Sequence, residues 1–184
     1  MATDMKQVIL DAARPMVQAR GYNALSFRDL AAAVGIKSAS IHYHFPTKGD
    51  LGAALARAYI EDLVAVLDSL PTAPESRSET FRLYTDIFRQ PLMRDNRMCL
   101  CGILAAEYRD LPLEVQTEVT RFADLNIAWL TQMLPAPADD AARRAKALAL
   151  FAALEGAQLI ARGRGDIASY DEAVEAYRVV GLIP

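Results

Sequence analysis

Residues 21–50 read GYNALSFRDLAAAVGIKSASIHYHFPTKGD, and this stretch decides the fold. Ser26-Phe27-Arg28-Asp29 has the form of a capping box, in which a hydroxyl accepts from backbone N–H groups at a helix start and an acid follows three residues on. Asp is a shorter partner than the usual Glu. The short helix it opens runs through Val34, where Gly35 breaks it. Lys37 or Ser38 begins a second short helix ending near Phe45-Pro46. Thr47-Lys48-Gly49-Asp50 repeats the capping signal and starts a long helix to about Leu70, closed by Pro71 and Pro74.

Upstream, Ile9, Ala12, Ala13, Met16 and Val17 recur at the spacing of one apolar helical stripe, and Gly21 is a natural stop. Pro15 removes the hydrogen bond to the Asp11 carbonyl and is expected to kink this first helix. A helix followed by two short helices joined through a glycine turn has the arithmetic of a helix-turn-helix. Leu30, Ala31, Val34 and Ile36 then face inward and fix the angle of the pair. Lys37, Ser38, Ser40, His42, Tyr43 and His44 are left to face a major groove. The small side chains of Ser38, Ala39 and Ser40 let the backbone approach base edges.

The whole stretch resembles the DNA-binding signature of the TetR family of transcriptional regulators. A glycine-aromatic pair leads through a short helix and a glycine turn to a helix ending in Tyr43, His44, Phe45 and Pro46, followed by Thr47 and Lys48. The resemblance implies that Ser26 and Lys48 touch phosphates and that Tyr43 presses its ring on the DNA backbone. It places Lys37, Ser38, Ala39, Ser40, His42 and His44 nearest the bases, with Phe45 an anchor in the small core. His42 stands where the family more often has tyrosine. Pro15 is a second departure.

Beyond residue 70, helical stretches are expected at 75–90, 96–108, 113–134, 139–162 and 169–181. The breaks are Leu111-Pro112, Pro135-Ala136-Pro137 and Gly163-Arg164-Gly165. No strand-length alternation of apolar and polar residues occurs. The expected fold is all-α, about nine helices. Residues 1–48 form a three-helix helix-turn-helix domain, and 49–184 a helical domain for ligand binding and dimerisation.

Composition narrows the function classes. The chain has 184 residues, 53% of them hydrophobic, which supports a sizeable core rather than a disordered segment. Net charge is −3, but residues 1–50 hold six basic and four acidic side chains, so the acidity lies in the body. The longest apolar run, 147–154, is too short to span a bilayer, and no signal-peptide pattern is visible, so a cytoplasmic protein without membrane contact is expected. No nucleophile elbow, zinc-protease motif, P-loop or dinucleotide loop appears, and both histidines lie in the expected recognition helix. No catalysis, cofactor or metal is expected. His42 and His44 are two residues apart, about 200° around a helix, so they cannot chelate one ion.

The family resemblance implies that the body dimerises and holds a small-molecule inducer, and that the dimer binds a near-palindromic duplex operator as a repressor. Two recognition helices must reach half-sites roughly 34–36 Å apart, or a multiple of that. Leu150, Phe151, Leu154, Ala157 and Gln158, with Val174 and Tyr177 of the last helix, are the expected interface; the same residues also fit the ordinary core of one chain. For the inducer the candidates are Tyr84, Phe88, Cys99, Glu107, Tyr108, Asn126 and Trp129, aromatic walls with a few polar anchors. Two further readings stay open. Cys99 or Cys101, near Arg94 and Arg97, would make a redox- or electrophile-sensing repressor. A TetR-like structural DNA-binding factor would need no inducer.

Overall fold

The computed structural model describes residues 4–135 and 139–184. Ala136 and Pro137 of the expected break lie outside the described residues. Nine α-helices and two short 3-10 turns account for the regular structure among the described residues, which include no strand. The helices are α1 (Met5–Arg20), α2 (Phe27–Val34), α3 (Ser38–His44), α4 (Lys48–Ser69), α5 (Arg77–Met93), α6 (Leu100–Ala106), α7 (Leu113–Met133), α8 (Asp140–Arg164) and α9 (Ala168–Val179).

The described residues fall into two compact units. The first contains the chain as far as Leu63 together with Leu100–Arg121, and the second contains Val64–Cys99 and Phe122–Pro184. The boundary expected at 48/49 therefore lies inside the first unit. Helix α6 and the start of α7 carry apolar residues that the three short N-terminal helices are too small to bury alone. Leu100, Leu104, Leu111 and Val115 join Ile9, Val17, Leu30, Ile41, Phe45, Leu51 and Leu55 in one buried cluster. Each such Leu or Ile contributes about 1.5–3 kcal/mol by leaving water.

In the second unit α8 packs on α5 and on α9. Its core holds Phe81, Tyr84, Phe88, Leu130, Leu150, Leu154, Tyr170 and Val174.

The observed boundaries follow local chemistry. Thr47 and Asp50 form a reciprocal cap at the start of α4: the Thr47 N–H donates to the Asp50 carboxylate at 3.0 Å, and the Asp50 N–H to Thr47 Oγ1 at 3.0 Å. The short acid suffices. Helix α1 continues through Pro15, and α5 continues through Pro91 to Met93, three residues past the stop expected at Gln90. The helix expected over 96–108 is only α6. Asp95 (φ 60°) and Asn96 (φ 52°) take left-handed backbone that their short polar side chains tolerate, and this delays the helix to Leu100. Asn96 Nδ2 donates to the Arg162 carbonyl at 3.0 Å and fixes that turn. Helix α8 passes through Gly163 and stops at Gly165, which caps it in left-handed backbone.

Candidate nucleic-acid interface

The reading head is set by two helix ends. Ser26 Oγ accepts from the Asp29 N–H at 3.1 Å and starts α2. Gly35, at φ 78°, ends it with its N–H on the Ala31 carbonyl. Space is not the reason for glycine there, because a Cβ would meet nothing within 4 Å. The left-handed backbone is the reason. Leu30, Ala31 and Ile41 are buried between the short helices, with Val34 and Ile36 packed against them. Phe45, at the end of α3, is buried as the resemblance implied.

With Ile41 and Phe45 turned inward, the opposite face of α3 is left to solvent. Tyr43 is 83% exposed, although a tyrosine of this size normally gains by burial. Its ring meets His44 edge-on at 5.1 Å. An open groove of about 500 Å³ runs along this face, lined by Met5, Ile36, Lys37, Ala39, Ser40, Tyr43 and His44. Five of the nine residues expected at DNA thus line one surface, and Ser38 stands at the first position of the same helix.

The other three have partners within the head. His42 is exposed, but its ring packs edge-on against Phe27 at 4.6 Å and its Nδ1 lies 3.4 Å from the Pro46 carbonyl. Ser26 is occupied as the cap of α2. Lys48 Nζ lies 4.5 Å over the Tyr22 ring and donates to the Asn23 carbonyl at 3.3 Å. Burial holds the Lys48 ammonium below its usual pKa, and the nearby Glu107 carboxylate opposes that shift. Sequence reasoning missed Met5, whose place on the first turn of α1 gives no signal of its own. It also missed Arg28, whose side chain is almost fully exposed on α2 beside Ser26.

Glu107 was expected to line a ligand pocket, and its place is different. Its carboxylate accepts from the Tyr22 N–H at 2.7 Å and the Asn23 N–H at 3.2 Å, and so holds the turn between α1 and α2. A Cβ at Gly21 would lie 2.2 Å from that carboxylate, so close approach and a φ of 84° both require glycine there. Tyr108 is exposed in the same unit. The other five ligand candidates belong to the second unit. Tyr84 stacks on Trp129 at 4.9 Å, meets Phe88 edge-on at 5.5 Å and donates to Asn126 Oδ1 at 2.8 Å. Cys99 donates its N–H to Gln158 Oε1 at 2.8 Å. Burial drives the Tyr84 hydroxyl far above its usual pKa. Phe81, Phe122, Phe151 and Tyr170 extend this aromatic core. Helical spacing alone could not separate these four from ordinary packing.

The residues expected at the dimer interface take the other place expected for them, the core of one chain. Leu150, Leu154, Ala157, Gln158 and Val174 are buried within the single chain, consumed where α8 meets α5 and α9. Tyr177 donates to the Ala153 carbonyl, and Phe151 packs on Phe88 and Phe122. The apolar side chains that α8 leaves exposed are instead Leu148, Leu159 and Ile160. Cys99 and Cys101 are both buried and lack the exposure that a reactive thiol needs. Among the described residues no cluster of three or more metal-ligating side chains occurs, and no helix is long and apolar enough to cross a membrane.

Comparison with known proteins agrees with this geometry. Residues 9–55 match the family model of bacterial regulatory proteins of the tetR family. A TetR transcriptional regulator from Legionella pneumophila superposes with a TM-score of 0.90 at 33% identity, over 98% of this chain and 99% of that one. A TetR-family regulator from Agrobacterium tumefaciens gives 0.83 at 30% identity, over 93% and 94% of the two chains. The HTH-type transcriptional repressor KstR2 of Rhodococcus jostii is 27% identical over 121 residues, which span 56% of this chain and 59% of that repressor. With a solvent-facing helix α3 on a capped helix-turn-helix, and two solved TetR regulators at 33% and 30% identity matched over nearly their full length, the chain belongs to the TetR family of transcriptional regulators.

Proposed function

We propose that the protein is a dimeric, ligand-responsive repressor acting in the cytoplasm on a near-palindromic operator. The observation that carries this reading is α3, whose inner face is locked by Ile41 and Phe45 while Tyr43 stands free beside the groove. Lys37, Ser38, Ala39, Ser40 and His44 read base edges, and Tyr43 lies on the sugar-phosphate backbone. Arg28 joins Ser26 and Lys48 as a phosphate contact. Lys48 reaches a phosphate by leaving the Asn23 carbonyl. His42 steadies α3 against Phe27 before it serves as a base contact.

Dimerisation uses the outward face of α8. At about 100° per residue, Ala145, Leu148, Ala149, Ala152, Gly156, Leu159, Ile160 and Gly163 fall within one arc of about 120°. A Cβ at Gly156 would meet no atom within 4 Å, so a second helix can approach closely there. Val179 and Val180 add exposed apolar area at the end of α9. Two copies of α8 and α9 form an isologous four-helix interface by this reading.

The aromatic core of the second unit is the effector site. Helix α4 contributes residues to both units, and its movement on effector binding spreads the two heads and releases DNA. Selection of duplexes from a random pool tests the proposal. Enrichment of two inverted half-sites, about one helical turn or a multiple apart, supports it. Enrichment of a single half-site would refute the dimeric reading, and no enrichment at low or moderate salt would refute operator binding.

A further inference from the structure

Glu155 stands apart from the other buried polar side chains around the aromatic core. Asn126 Nδ2 donates to the Phe122 carbonyl at 2.8 Å, and Tyr170 Oη to the Thr85 carbonyl at 2.7 Å. Gln158 donates to the Phe88 carbonyl and accepts from Cys99. Glu155 reaches inward from α8 with part of its stem at the surface. Both its carboxyl oxygens are sealed from solvent, and neither meets an N–H or O–H donor among the described residues. Among the described residues the one group that favours its charge is the Cys99 thiol, a weak donor, and no Lys or Arg bears on it. Burial pushes the carboxyl up to about pH 7. A buried acid left in this state is where proteins place function more often than stability.

Its surroundings indicate what would pair with it. One helical turn earlier, Phe151 packs on Phe88 at 6.2 Å and on Phe122 at 6.0 Å. The Glu155 charge acts on the phenols of Tyr84 and Tyr170. Aromatic ring faces attract cations, and a carboxylate among them repels anions. A wholly apolar ligand would leave the carboxyl unpaired.

We propose that this core binds a protonated organic amine, its ammonium hydrogen-bonded to Glu155 and its apolar part against Tyr84, Phe88 and Phe151. The proposal rests on the reading that the second unit holds the effector. Binding needs the ionised carboxylate, so a protonated Glu155 releases its proton to solvent as the ammonium arrives. The titratable groups facing Glu155 are Tyr84 from α5, Cys99 ahead of α6 and Tyr170 from α9. Burial holds both tyrosines protonated far above neutrality, and a Cys99→Ala variant isolates the thiol.

Thermal shift and calorimetry on the full chain test this, with benzylamine, 2-phenylethylamine, 4-phenylbutylamine and cyclohexylamine, each beside the alcohol of the same skeleton. At least one amine is expected to bind where its alcohol does not. Its affinity should rise about tenfold from about pH 6 to pH 8, in Cys99→Ala as in the wild type. Glu155→Gln should lose that affinity at least tenfold while melting, without ligand, as high as the wild type or higher. Absence of binding by every amine at millimolar concentration, equal binding by Glu155→Gln, or a flat pH response would overturn the proposal. Operator binding separates it from the reading beneath it. Alcohols or acids that bind and release operator would sink the amine but keep the effector site. An amine that binds through Glu155 yet leaves operator affinity unchanged would do the reverse.

Discussion

Glu155 makes stability itself depend on pH. Its folded pKa, about 7, lies above the 4.5 of the free side chain, so the folded state holds the proton more tightly. That contribution is complete below about pH 4.5 and is lost as pH rises through about 7, a loss of about 3 kcal/mol for a shift of this size. Denaturant melts of the wild type should weaken over that window, whereas those of Glu155→Gln should lack that decline. A parallel decline in both would assign the effect to other groups. Gly35 is the second residue with a sharp expectation. Since a Cβ there meets nothing, Gly35→Ala tests backbone alone and should cost about 1–2 kcal/mol in urea melts. Gly35 was legible in the sequence because a break between two short helices needs it. The seat of Glu107 on the Gly21 turn was not, because its two hydrogen bonds cross more than eighty residues.

Elements were legible where they begin and less so where they end. The caps at Ser26 and Thr47 are short-range chemistry, an oxygen facing an N–H three residues on, and both are present. Thr47→Val should remove the α4 cap and lower stability by about 1 kcal/mol in denaturant melts, with helix content by circular dichroism almost unchanged. An unchanged midpoint would show that the cap contributes nothing. Proline misled, in the kink expected at Pro15 and in the stop expected at Gln90, just before Pro91. Pro15 and Pro91 both sit inside continuous helices. Packing of Ala13 and Val17 in the first unit, and of Phe88 and Leu92 in the second, outweighs one lost hydrogen bond in each case. The start of α6 was hidden for a similar reason. Asp95 and Asn96 break the chain with left-handed backbone, which leaves no proline or glycine to read.

At the scale of the whole molecule, the apolar residues of α8 divide into two faces, and sequence alone could not tell the face buried within one chain from the face left exposed. Every position of an apolar helix reads as interface until another element covers part of it. Here α5 and α9 cover Leu150, Leu154 and Ala157, leaving Leu159 at 59% and Ile160 at 62% exposure. Leu159→Glu with Ile160→Glu should give a folded monomer in sedimentation, with a melting temperature set by a single chain. Leu154→Ala should instead destabilise the chain by about 2–5 kcal/mol through a core cavity. A double variant that stays dimeric would place the interface elsewhere.

Helix α3 is proposed to read DNA through a face the fold leaves free. The direct measurement is fluorescence anisotropy of wild-type protein and Tyr43→Ala on the duplex enriched by selection, at near-physiological salt, with thermal melts alongside. Tyr43→Ala is expected to bind at least tenfold more weakly and to melt with the wild type, because an 83% exposed ring supports no core. Equal affinity of the two proteins for that duplex would contradict it.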